Sequence, residues 1–186
     1  MTKTMKNIVG DYQGGFIKGK STNNQIFMLR TILEKCYEFN VDLHLLFVDF
    51  KEAYDSIDRS AIIDTLIEFY VPRKLVRLVQ MTLSASKGKV AMLGELANCF
   101  SIKRRVRQGD ALSTILFNIV LERAIRGMEI NPGGTIYNRT SQILAYADNV
   151  VISRSGQELR HMCMQLESES KKFGLKINES KTKYRL

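Results

Sequence analysis

Two aspartates at the ends of apolar runs are the strongest candidates for chemistry in this chain. Asp49 follows the run Leu43-His44-Leu45-Leu46-Phe47-Val48. Asp148 lies in Tyr146-Ala147-Asp148-Asn149, between Ile143-Leu144-Ala145 and Val150-Val151-Ile152. The two latter runs, joined by Asp-Asn, read as a tight hairpin with a carboxylate at its turn. Carboxylates brought to one sheet edge by adjacent antiparallel strands are hard oxygen donors and could hold one or two Mg²⁺ ions, with waters completing the octahedra. Paired ions of this kind move phosphoryl groups by positioning and charge neutralisation, with no protein nucleophile. Either aspartate alone would suit an ordinary exposed strand end; the pair carries the reading. Asn149 sets a limit on it. An amide oxygen can ligate Mg²⁺ but brings no charge, so weaker metal binding and slower turnover are expected, short of complete loss.

The charge pattern points to a polyanion. The net charge is +9, unevenly spread. Residues 34–68 hold nine acids and three bases, residues 71–107 nine bases and one acid, and residues 171–185 six bases and one acid. A segregated basic surface suits nucleic acid, although a solvated lysine face would give the same count. The chain has no apolar run of 18 residues and no secretory leader is visible, which predicts an intracellular protein with no membrane span. Cys36, Cys99 and Cys163 show no metal-binding spacing and read as small apolar residues in a reducing compartment.

The elements that must position the aspartates follow from periodicity. A glycine-rich basic loop, Gly14 to Lys20, precedes a helix from about Thr22 to Tyr37 with Ile26, Leu29, Leu33 and Cys36 inward. The run Leu43 to Val48 is continuous enough to be a central strand. Helices are expected over Ser60–Tyr70, with Ile63, Leu66 and Ile67 inward, and from Pro72 to about Leu83. The second buries Leu75, Leu78 and Val79 and shows Arg73, Lys74 and Arg77 outward. A hairpin around Gly94-Glu95 and a helix from about Leu112 to Arg126 come next, then a loop at Asn131-Pro132-Gly133-Gly134. Ser155 and Glu158 form a capping box for a helix with Leu159, Met162, Cys163, Leu166 and Phe173 as its stripe, ended by Gly174. Leu175-Lys176-Ile177-Asn178 reads as a last strand. Mixed helices and hairpins predict an α+β fold.

Five segments, in order, resemble one family. Leu46-Phe47-Val48-Asp49-Phe50-Lys51-Glu52-Ala53-Tyr54-Asp55-Ser56-Ile57-Asp58-Arg59 closely resembles the first palm motif of reverse transcriptases, in the branch serving retrotransposons without long terminal repeats. Arg105-Val106-Arg107-Gln108-Gly109-Asp110-Ala111-Leu112-Ser113 resembles the next motif, and Leu144-Ala145-Tyr146-Ala147-Asp148 the Tyr-x-Asp-Asp motif. Gly174-Leu175-Lys176-Ile177-Asn178-Glu179-Ser180-Lys181-Thr182-Lys183 resembles the last palm motif. Gln13-Gly14-Gly15-Phe16 and Gly19-Lys20-Ser21-Thr22 resemble the fingers motif. The likeness runs from about Asp11 to Tyr184, and the ordered set is far more specific than any one member.

The resemblance implies a single domain over 1–186. It comprises a ferredoxin-like antiparallel palm with packed helices (approximately 43–59 and 108–186) and fingers (approximately 1–42 and 60–107). The thumb, primer grip and any nuclease domain are expected to be absent. It implies RNA-directed DNA synthesis with Mg²⁺ (Mn²⁺ as a possible substitute) on an RNA template, a DNA primer and deoxynucleoside triphosphates, with the remaining retrotransposon domains as partners if a longer chain exists. Asp49 and Asp148 take the place of the metal ligands, with Asn149 where the family usually has a second Asp. Some viral polymerases with Asp-Asn at this turn are active. Tyr54 resembles the residue that excludes a 2′-hydroxyl, and would also serve as a packed aromatic. Gln108 and Gly109 resemble the nucleotide-contacting turn. Lys18 and Lys20 stand where the family often has arginine, and could hold triphosphate as point charges. Arg105 and Arg107 suit template or triphosphate contact. Lys181, or else Lys183, resembles the proton donor to pyrophosphate, and a solvated tail lysine is the plain alternative. The other function class is a catalytically dead, retrotransposon-derived nucleic-acid-binding remnant, consistent with Asn149 and the missing thumb.

Overall fold

A strand that is apolar along its whole length needs cover on both faces. The run ending at Val48 obtains it. The computed structural model describes residues 8–10, 12–84, 87–88, 91–92, 95–96, 98, 100–101, 111–128, 143–146 and 149–186; for residues 87–88, 91–92, 95–96, 100–101, 146 and 149–154 it describes the backbone alone. Helix α1 (Thr22–Glu38) precedes strand β1 (His44–Val48). Then come α2 (Ala53–Ser56), α3 (Arg59–Glu68) and α4 (Arg73–Ser84). Four two-residue strands follow: β2 (Lys87–Gly88), β3 (Ala91–Met92), β4 (Glu95–Leu96) and β5 (Phe100–Ser101). The rest comprises α5 (Ala111–Arg126), β6 (Ile143–Tyr146), β7 (Asn149–Arg154), α6 (Gly156–Lys171) and β8 (Lys183–Arg185).

The main sheet has the order β6-β7-β1-β8, and its pairs are all antiparallel. Leu43, Leu45 and Leu144 pack with Ile32 and Cys36, with Leu29 and Phe47 alongside, so α1 covers one face. Val48, Ile143 and Ala145 join Leu116, Val120, Leu159 and Leu166 on the other, under α5 and α6. The mixed α+β expectation therefore holds. β2 pairs with β5 and β3 with β4, so the hairpin expected around Gly94-Glu95 is present, its inner strands facing each other through Met92 and Glu95. The loop at 131–134 lies outside the described residues. Among those residues, no helix is long and apolar enough to cross a membrane.

Several inward faces differ from those expected. On α1, Ile26 and Leu33 are 62% and 43% exposed, and the buried residues are Ile32 and Cys36. On α3, Ile62, Thr65 and Leu66 are buried while Ile67 is 58% exposed; on α4, Val76, Val79 and Leu83 are buried while Leu78 is 51% exposed. These helices carry apolar residues around more than half their circumference, so spacing offers two stripes and the neighbouring element selects one. Arg73, Lys74 and Arg77 do point outward. On α6, Leu159, Met162 and Leu166 are buried and Cys163 only half so. Burial raises the thiol pKa of Cys36 and, with Glu167 adding to it, that of Cys163. Cys99 lies outside the described residues.

The last strand is also displaced. Residues 175–178 contribute only a bridge, Phe50 to Ile177, and the sheet strand is β8, paired with β1 through Leu45↔Arg185, Leu46↔Tyr184 and Phe47↔Lys183. Gly174 explains where the chain turns. Its φ is +83°, and an added Cβ would lie 2.5 Å from the Ser56 carbonyl oxygen. Only glycine combines that backbone conformation with that approach.

Helix α5 is buried nearly all round, including the polar Ser113, Asn118 and Glu122. Glu122, 3% exposed, is fully engaged. It accepts from the Gly10 N–H at 3.0 Å, from Arg126 Nε at 2.7 Å and from the Tyr12 hydroxyl. Burial, reinforced by that carboxylate, raises the Tyr12 phenol pKa. Glu122→Ala leaves the Tyr12 hydroxyl and the Gly10 N–H without their acceptor, while Arg126, 49% exposed, keeps access to water. The substitution is therefore expected to cost about 2–4 kcal/mol in urea denaturation. Arg30→Ala, which breaks an exposed pair with Glu34, should cost under about 0.5 kcal/mol. A cost below about 1 kcal/mol for Glu122→Ala would mean that the network does not fasten the N-terminal segment in solution.

Candidate functional site

β1 ends by delivering Asp49 to the sheet edge, half-buried. The β1–β7 register runs from His44↔Arg154 to Val48↔Val150. Continued by one residue, it sets Asp49 opposite Asn149. The β6–β7 hairpin closes with Tyr146 paired to Asn149. Asn149 is thus the first residue of β7 rather than part of the turn, a correction of one position to the expected tip. Pairing takes Asn149 into the ladder because its backbone has a partner in Tyr146.

The segment after α6 wraps around Asp49. The Asn178 N–H donates to the Asp49 carbonyl at 2.8 Å, and Asn178 Nδ2 donates to Asp49 Oδ2 at 3.1 Å. The Asn178 carbonyl then accepts from the backbone N–H groups of Lys181 at 3.2 Å and Thr182 at 2.9 Å, and from Thr182 Oγ1 at 2.8 Å. Thr182 Oγ1 accepts from the Asp49 N–H at 3.4 Å. Lys181 therefore rides on a turn fastened to Asp49, with its side chain exposed. Lys183 sits on β8, its Nζ donating to the Ser180 carbonyl at 3.4 Å.

The glycine-rich segment lies on the other edge of the sheet. Ala145 exchanges backbone hydrogen bonds with it, donating to the Tyr12 carbonyl at 2.9 Å and accepting from the Gly14 N–H at 2.7 Å. Gln13, 2% exposed, accepts the Gly15 N–H on its side chain at 2.8 Å. Asn118 Nδ2 of α5 donates to the Gly15 carbonyl at 2.8 Å. Lys20 Nζ reaches back to the Gln13 carbonyl at 3.2 Å, and Lys18 is exposed. Phe16 and Glu52 hold φ values of +57° and +48°, costly for residues with a Cβ. They fall in the loop after Gln13 and in the loop after Asp49. The other two non-glycine residues of this kind among those described, Asn40 and Tyr70, follow helix ends, where the conformation is common.

Tyr54 stands on α2, half-buried, its ring 5.4 Å from that of Phe117 on α5. Phe50 meets the same ring edge-on at 6.2 Å. The packing role expected for Tyr54 is thus present. Asp148, Arg105, Arg107, Gln108 and Gly109 lie outside the described residues, as does any distance between Asp49 and Asp148.

The Asp49 carboxylate is a hard oxygen donor of the kind a divalent cation takes. Oδ2 takes the Asn178 amide, and Oδ1 accepts no hydrogen bond from a described residue. Among the described residues no group of three or more His, Cys, Asp or Glu could hold a metal. Asn118 and Glu122 were given no role in the sequence reading, and Asn178 and Thr182 figured there only within the segment resembling the last palm motif. Asn118 and Glu122 were findable as polar residues at i and i+4 inside an apolar helical run; Asn178 and Thr182 carried no such signal.

Comparisons with known proteins agree with this architecture. The family model described as reverse transcriptase (RNA-dependent DNA polymerase) matches residues 1–186. The Pol polyprotein of a type-2 retrotransposable element from Drosophila melanogaster is 28% identical over 140 residues, which span 75% of this chain and 13% of that protein. The Pol polyprotein of the R2 element from Nasonia vitripennis is 24% identical over 166 residues, spanning 89% of this chain and 16% of that protein. The chain thus spans well under a quarter of the length of these relatives. In fold it is similar to telomerase from Candida tropicalis in complex with a fragment of telomeric RNA, at a TM-score of 0.72 and 15% identity over 98% of this chain and 32% of that one. The chain belongs to the reverse transcriptase (RNA-dependent DNA polymerase) family, in the branch of retrotransposons without long terminal repeats.

Proposed function

We propose that these residues form the nucleotide-adding core of an RNA-directed DNA polymerase, with a palm at approximately 43–59 and 108–186 and fingers at approximately 1–42 and 60–107. The observation that carries this reading is the meeting of three segments at one sheet edge: the end of β1 with Asp49, the start of β7 with Asn149, and the turn bearing Lys181. Asp49 and Asp148 would hold Mg²⁺ or Mn²⁺, which when bound neutralises the triphosphate and the attacking primer oxygen. Lys18, Lys20, Arg105 and Arg107 would hold triphosphate and template by charge. Gln108 and Gly109 would bring backbone against the incoming nucleotide. Tyr54, propped by Phe117, would occupy the space beside the sugar that a 2′-hydroxyl needs. Lys181 would give a proton to the departing pyrophosphate. Asn149 adds at most a neutral oxygen, so activity is expected to be weak.

Primer extension on an RNA template, in Mg²⁺ and in Mn²⁺, tests the reading. Asn149→Asp should raise the rate on the order of 10-fold or more by restoring one ligand charge, and Mn²⁺ should partly rescue the parent chain. No extension by either protein in either metal would favour the nucleic-acid-binding remnant. In the active variant, Tyr54→Ala should raise ribonucleotide incorporation relative to deoxyribonucleotide by roughly 10- to 100-fold. An unchanged ratio in a folded protein would leave Tyr54 as a packing residue only. Reversing the charge at Arg104 and Arg105 should weaken RNA binding and reduce the log–log salt slope by about 2. A slope that does not move would count against a nucleic-acid cleft at Arg104 and Arg105.

A further inference from the structure

We infer that Asn178 is a positioning residue that sets the orientation of the Asp49 carboxylate and ties the Lys181 turn to it. This rests on the reading of Asp49 as a metal ligand. An aspartate at a strand end can turn about two side-chain torsions, and a carboxylate that must be ordered on binding loses affinity to that ordering. Asn178 removes the freedom in advance. Its Nδ2 donates to Oδ2 of Asp49 at 3.1 Å, while Oδ1 accepts from no described residue and is the less engaged oxygen for a cation. Its own amide is held from the far side, because Asn178 Oδ1 accepts from Ser180 Oγ at 2.8 Å. The carboxylate fixes which end of the amide faces it, since an ionised carboxylate only accepts and must meet the NH₂ end, which leaves Oδ1 for the Ser180 hydroxyl.

The backbone of the same residue is fastened at both ends. Its N–H holds the Asp49 carbonyl and its carbonyl holds the N–H groups of Lys181 and Thr182. One residue therefore touches the ligand by main chain and side chain and the proton-donor turn by main chain. A shift in Asp49 on cation binding would move the Lys181 turn with it. Aspartate at position 178 would keep the shape but replace the donor with a repelling carboxylate, and alanine keeps every main-chain bond while deleting the amide alone. Outer hydrogen bonds to metal ligands commonly contribute 10- to 100-fold in affinity or activity.

The test uses the 186-residue chain and Mn²⁺ alone, titrated by the electron paramagnetic resonance signal of the free ion, with thermal unfolding measured on each protein. Asp49→Asn defines the site-specific component. Asn178→Ala is expected to weaken that component about 10-fold. Thr182→Val removes the side-chain bonds to the main chain of Asp49 and Asn178 but none to the carboxylate, and is expected to lower the unfolding temperature while leaving Mn²⁺ affinity within about twofold. If Asn178→Ala fails to fold, Asn178→Ser, whose hydroxyl is too short to reach Oδ2, takes its place. Site-specific affinity unchanged in the Asn178 variant, or lost equally in Thr182→Val, overturns the inference and leaves Asp49 as a ligand. Absence of any Mn²⁺ binding that depends on Asp49 overturns the metal-site reading itself, and this inference with it.

Discussion

The antiparallel ladder between β1 and β7 is the constraint on which the site depends. Side chains alternate across a strand, so a slip of one residue would turn Asp49 away from Asn149 and exchange the two packed faces. Ordinarily such a slip is forbidden by contrast between an apolar and a polar face. Here both faces of β1 are apolar, Leu45 and Phe47 toward α1, Leu46 and Val48 toward α5 and α6. The contrast is weak, and other bonds supply the register. The Asn178 N–H on the Asp49 carbonyl and the Lys51 N–H on the Lys176 carbonyl, 2.7 Å, lock the end of β1 from its second neighbour. The short connection from Tyr146 to Asn149 locks β7 from the other side.

Helix α5 then binds the surrounding loops to the same frame. Phe117 lies under Phe50 and Tyr54, which fixes the loop after Asp49. One residue on, Asn118 holds the Gly15 carbonyl, and four residues further Glu122 holds Gly10 and Tyr12. Buried polar groups on a core helix are costly unless paired; Asn118 Nδ2 and the Glu122 carboxylate are paired with the segment that carries the fingers-like motif, while Asn118 Oδ1 is buried without a partner among the described residues. The cost is offset by hydrogen bonds that an apolar helix could not make. The two loops in left-handed conformation at Phe16 and Glu52 are reached from this one helix or lie directly beside its contacts, which is the setting in which backbone strain persists.

The described part of the site around Asp49 is poor in negative charge. Asp49 carries an amide neighbour through Asn178, and by backbone register position 149 opposite it is a neutral residue. A hard cation would meet fewer negative oxygens here than a site with an additional aspartate provides. What the arrangement retains is order: the Asp49 carboxylate is held by a residue that is itself held.

Much of this was present in the sequence alone. The aspartate at the end of a long apolar strand, the paired hairpin strands, the helix boundaries within a residue or two, and the motif order that marks a reverse transcriptase are all local properties, governed by periodicity, capping and turn chemistry. The inward faces of α1, α3 and α4 were not, because residues such as Ile26, Ile67 and Leu78 fit a buried stripe as well as those chosen, and only the neighbouring element decides between them. Nor was the strand at 183–185: Lys183, Tyr184 and Arg185 are exposed and have no apolar pattern, and they become a strand because β1 offers them an unpaired edge. The contacts of Asn118, Glu122 and Asn178 join residues more than a hundred positions apart in sequence from their partners, Gly15, Tyr12 and Asp49. No local rule links such residues. The tertiary structure decided them, because a buried polar atom must find its partner wherever the packed chain brings one.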